Sequence, residues 1–65
     1  MKLRDYKKNQ IVVASAAIEA AVFTPTGRHD YGNTIYKATI YLKSGSTIEA
    51  ELNDSDKSDI EKLLG

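Results

Sequence analysis

Thr34-Ile35-Tyr36-Lys37-Ala38-Thr39-Ile40-Tyr41-Leu42-Lys43, then Ser44-Gly45-Ser46, then Thr47-Ile48-Glu49-Ala50-Glu51-Leu52 is the stretch that decides the fold. Its first run is rich in β-branched and aromatic residues. Its last run alternates apolar and polar residues, and a glycine-centred break separates the two. That pattern is a β-hairpin. Matching the apolar sets places Ala38, Ile40, Leu42, Ile48, Ala50 and Leu52 on the core face. Ile35, Lys37, Thr39, Tyr41 and Lys43 then share the outer face with Thr47, Glu49 and Glu51, so lysines stand opposite glutamates in cross-strand pairs.

Downstream, Asn53-Asp54-Ser55 is a run of helix-capping residues, and Asp54, Asp56 and Asp59 lie where a helix dipole favours anions. Ile60, Leu63 and Leu64 recur at helical spacing, Lys62 falls in the last turn and Gly65 follows. The spacing predicts a helix over residues 55–64, too short to persist unless it lies on the sheet. The expected core is Ile40, Leu42, Ile48, Leu52, Ile60 and Leu63.

Upstream the pattern is less decided. Residues 1–10 are polar and basic, with Leu3 and Tyr6 as the large apolar anchors, and read as an arm or a short first strand. From Ile11 to Phe23 two readings compete. An alanine-rich helix capped by Ser15 would put Ile11, Ala14, Ile18, Ala21 and Val22 on one face. The preferred reading is a strand over Ile11–Ala14, a tight helical turn over Ser15–Ile18 and a second strand over Glu19–Thr24. A helix of so few residues is weak alone, and the residue before Pro25 avoids the helical region. Thr24 to Asn33, punctuated by Pro25, Gly27, Gly32 and Asn33, reads as a loop available for contact and dispensable for folding.

These elements predict one α+β domain over residues 1–65: a small antiparallel sheet of three or four strands, arranged as a meander, with a short C-terminal helix on one face. A chain of this size buries only about 60% of its unfolded surface. It has no cysteine for a disulfide or thiolate site, and a single histidine, so association is the remaining common aid to stability. No apolar run is long enough for a membrane helix, and residues 6–10 are polar where a signal peptide needs its apolar stretch. A cytoplasmic location and no membrane role are expected.

Function is written less clearly. There is no glycine-rich phosphate loop, no nucleophile elbow and no Cys–His pair. Neither enzymatic activity nor a cofactor is expected. Asp54, Asp56, Asp59 and Glu61 lack the central glycine and distal glutamate of a calcium loop, and helix capping accounts for them, so no metal is expected. Arg28-His29-Asp30-Tyr31 is the one cluster of chemically able side chains. With Ile35 and Tyr41 on the outer sheet face, these residues form the candidate protein-binding set, because tyrosine suits interfaces. Net charge is zero, but residues 1–10 are basic and residues 49–65 acidic. Lys2, Arg4, Tyr6, Lys7 and Lys8 form the alternative, nucleic-acid-binding set, with lysine and arginine on phosphate and the tyrosine on a base.

The expectation is therefore a non-enzymatic protein-interaction module of a prokaryotic or phage accessory type, with a protein partner and a tendency to self-associate. A nucleic-acid-binding regulator is the alternative. The expected self-association surface is an open sheet edge, with the longer strand Thr34–Lys43 presenting Ile35 and Tyr41.

Overall fold

In the computed structural model, which describes residues 1–6 and 9–65, a two-stranded hairpin precedes a three-stranded antiparallel meander and a terminal helix. The strands are β1 (Lys2–Arg4), β2 (Gln10–Val12), β3 (Ile18–Asp30), β4 (Asn33–Leu42) and β5 (Thr47–Leu52), followed by α1 (Asp54–Leu64). β1 pairs with β2, and β4 lies between β3 and β5. The α+β class, the antiparallel sheet and the helix packed on one face are as the sequence predicts.

The ambiguous stretch resolves as strand, turn, strand. Ser15–Ala17 form one 3₁₀ turn, closed by Ala17 N–H donating to Ala14 O at 2.9 Å. Ile18 then enters β3 and is buried. Glu19 is an extra residue between the pairs Ile18↔Leu42 and Ala20↔Tyr41, a bulge that leaves Ile18 facing the core.

The β4–β5 register pairs Ala38 with Ala50 and Ile40 with Ile48. Gly45, at φ 95°, occupies the left-handed position of the tight turn between them, where a side chain is strained. Ala38, Ile40, Ala50, Leu52 and Ile60 are buried in one cluster with Ile18 and with Leu3 of β1, so the hairpin and the helix share one face of the sheet. Leu42 and Ile48 are only half-buried and pack against this cluster. Leu63 departs from expectation. It is 39% exposed, because the helix buries only its Ile60 line on a face it shares with the hairpin.

Polar contacts hold these pieces together. Asn53 caps the helix by accepting from Asp56 N–H at 2.9 Å. The first-turn carboxylates also act at long range: Asp54 accepts from Thr34 N–H of β4 and Asp56 from Arg4 N–H of β1. Lys57 lies over the T-shaped Phe23–Tyr36 pair, 5.6 Å and 5.2 Å from the two ring centroids. It also donates to Glu61 at 3.0 Å.

Two further expectations are corrected. The stretch from Thr24 to Asn33 is not a loop: β3 runs through Asp30 and β4 begins at Asn33. Lys37 stands opposite Glu51 in register, but the ion pair of Glu51 is with Arg28. Lys43 lies beyond the end of β4, in the turn.

Ile40→Ala is expected to cost about 2–5 kcal/mol, because it opens a cavity in a fully covered site. Leu63→Ala is expected to cost under about 1 kcal/mol, since its surface is already wet. Urea melts of the two variants check the ordering. The hydrogen bond that Lys57 donates to the Glu61 carboxylate raises the Lys57 pKa above its ordinary value of 10.5. The stabilisation from this charge is present below that value and fades as pH rises through the folded-state pKa. Stability of wild type minus that of Lys57→Met should therefore narrow only at strongly alkaline pH.

Candidate functional site

A wide bulge shapes the far end of the β3–β4 hairpin. Pro25 pairs with Tyr36 and His29 with Thr34, so Thr26, Gly27 and Arg28 oppose Ile35 alone. Gly27 takes φ 82°, which suits glycine at such a bend. The Thr26 hydroxyl closes the bulge by donating to Ile35 O at 2.7 Å and accepting from Arg28 N–H at 3.2 Å. Arg28 is thereby aimed across the sheet onto Glu51, with which it forms an ion pair.

Beyond the bulge the hairpin becomes a short finger. Asp30 pairs with Asn33, leaving Tyr31 and Gly32 as a two-residue turn with φ of 48° and 80°. Positive φ at both positions is the mirror-image turn that strand twist favours, and its preferred residues are Asn-Gly or Asp-Gly. A bulky aromatic residue in the first position is strained. Tyr31 is 98% exposed, so no packing of its ring offsets that strain.

The N-terminal hairpin approaches from the other side. Asp5 is buried at the outer edge of β5, where its carboxylate accepts from Glu51 N–H at 3.0 Å. Tyr6 N–H donates to Glu51 O at 2.9 Å. This clamp sets Tyr6 beside Arg28, His29, Asp30 and Ile35 around a small concavity of about 200 Å³. A wider groove of about 710 Å³ continues from Tyr6 and Asp30 along Lys2, Arg4, Asn9, Gln10 and Asp56.

The structure thus brings together most of two candidate sets that are far apart in sequence. Arg28, His29, Asp30 and Tyr31 form the finger, and Lys2, Arg4 and Tyr6 form the facing wall; Lys7 and Lys8 lie outside the described residues. It does not bring Ile35 and Tyr41 to a shared surface. Ile35 is 3% exposed, covered at the bulge, where simple alternation would have left it in solvent. Tyr41 stays exposed on the outer face, beside Ala20 of β3 in register. Sequence reasoning missed Asn9, Gln10 and Asp56 as groove residues. Asp56 reads locally as a helix-dipole residue, and nothing local marks Asn9 or Gln10.

Charge in the groove is mixed. Lys2 and Arg4 face Asp30 and Asp56, and Arg28 is already paired with Glu51. Among the described residues no group of His, Asp or Glu is placed to hold a metal ion, and no helix is long and apolar enough to cross a membrane. No protein-family model matches the chain, and no curated protein or solved structure does so either.

Tyr31→Asn should stabilise the domain by about 1 kcal/mol, since it installs the preferred turn pair and removes a side chain that buries nothing. Chemical denaturation measures this. A loss of stability would show that the tyrosine ring supports the fold.

Proposed function

We propose that this protein is a non-enzymatic protein-interaction module that engages its partner with the β3–β4 finger. The observation that carries the reading is Tyr31: a fully exposed aromatic ring held at positive φ on the apex of a two-residue turn. Backbone strain persists where a use outweighs its cost. Tyrosine combines contact area with a polar tip at low conformational entropy, which makes it an effective anchor in protein interfaces. Arg28, His29 and Asp30 surround the anchor with donors and acceptors, and the Arg28–Glu51 pair and the Thr26-stapled bulge stiffen the finger beneath it. A stiff finger loses little freedom on binding. The module is proposed to belong to a prokaryotic or phage accessory or regulatory protein and to act in the cytoplasm.

Nucleic-acid binding is the second reading. It is favoured by Lys2, Arg4 and Tyr6 lining one groove and disfavoured by Asp30 and Asp56 in the same groove, which repel phosphate.

A photo-crosslinking amino acid at position 31, with a control at Ser44 on the other exposed turn, tests both readings in host cells. The expected result is a discrete protein adduct from position 31 that position 44 does not give. Identical adducts from both positions, or nuclease-sensitive adducts only, would sink the protein-binding reading, the latter in favour of the alternative.

A further inference from the structure

The outer edge of β3 is a second interaction surface, independent of the finger. Backbone hydrogen bonds fix which way each group points. Leu42 N–H bonds to Ser46 O on the β5 side, and Lys43 N–H bonds to Ala17 O on the β3 side. Alternation along β4 then directs Lys37, Thr39 and Tyr41 toward β3. Their register partners Thr24, Val22 and Ala20 point inward, so the N–H and C=O groups of Ala21 and Phe23 point away from the sheet. Among the described residues no other segment bonds to them.

This edge also lacks the usual protection. Strand edges are commonly blunted by lysine, proline or inward charge, yet Ala20-Ala21-Val22-Phe23-Thr24 contains none of these. Pro25 stands at the next outward position, where its missing N–H costs no bond within the sheet. The opposite edge differs: the N–H and C=O of Glu51 on β5 are already taken by Asp5 and Tyr6.

We propose that β3 pairs antiparallel with β3 of a second copy of this chain, about a two-fold axis through Val22, to form one continuous sheet. The edge is self-complementary in that register. Ala21 meets the partner's Phe23 and Phe23 meets the partner's Ala21, so every outward donor and acceptor of these two residues is satisfied. Moving the axis to Phe23 would set Ala21 against the partner's Pro25 and lose a donor. Moving it to Ala21 would bring Glu19 and its bulge into the pairing. On the outer face Val22, 53% exposed in the single chain, packs against Val22 of the partner subunit. Zero net charge sets no overall repulsion between copies. Two-fold closure uses both β3 edges, so association stops at two. The two fingers then project from opposite ends of the assembly.

The absence of cysteine makes the register directly testable. Val22 on the axis forms a non-hydrogen-bonded pair with Cα atoms about 4.5 Å apart, within reach of a disulfide. Two Thr24 residues would be about 14 Å apart along the strands. Under mild oxidation Val22→Cys should form a covalent dimer at least about tenfold faster than Thr24→Cys. Sedimentation of the wild type should give twice the 7.2 kDa chain mass. Ala21→Pro, which removes an outward N–H, should return it to the chain mass with unchanged circular dichroism. Equal crosslinking of the two cysteine variants, or a wild-type mass of one chain up to about 1 mM, overturns the proposal. The cysteine comparison stands even if the proline variant fails to fold.

Discussion

The central position of β4 is the constraint on which the rest of the structure depends. It is paired along both sides, and its even-numbered residues carry the covered face against the helix and the N-terminal hairpin. That arrangement makes β3 and β5 the two edges, and it sets which backbone groups on each edge are left over. It also makes β4, which carries the most buried residues of any strand, the least available to a partner.

The two edges are treated differently, and the difference comes from the N-terminal segment. Asp5 is buried for a backbone reason: its carboxylate stands in for the missing neighbour of β5 by accepting from Glu51 N–H. A buried carboxylate is costly unless hydrogen-bonded, so this contact ties the first hairpin to one side of the sheet. Together with Asp56 on Arg4 N–H, it orders residues whose own two-stranded pairing is too short to persist alone. Among the described residues β3 receives no such cover.

At the far end of the hairpin, covered and displayed groups lie next to one another. The bulge puts three residues of β3 against Ile35, which is buried there outside the main core cluster, and sends Arg28 across to Glu51. The strain in this region falls on Tyr31, the residue with the least packing. A strained residue with nothing packed on it is easily replaced by a better turn former, and the proposed finger contact rests on that.

The sequence by itself determined the elements whose signals are local. Strict alternation over Thr47–Leu52, the β-branched run before it and the Asn53-Asp54-Ser55 cap gave the sheet, its core face and the helix, since each signal depends on neighbours within a few residues. Pro25 and the shortness of the alanine-rich run likewise favoured strand, turn and strand over a helix. Tertiary structure decided the rest. Gly27 and Gly32 read as loop residues, but a bulge and a two-residue turn use the same glycines, and only the partner strand distinguishes them. Alternation placed Ile35 on the outer face, as the structure does, but it is covered there at the wide bulge of β3 beside Tyr6, Arg28 and His29, and spacing within β4 cannot show that cover. The meeting of Tyr6 with Arg28, His29 and Asp30 depends on a buried carboxylate and a strand edge distant in sequence, and no local pattern encodes such a contact.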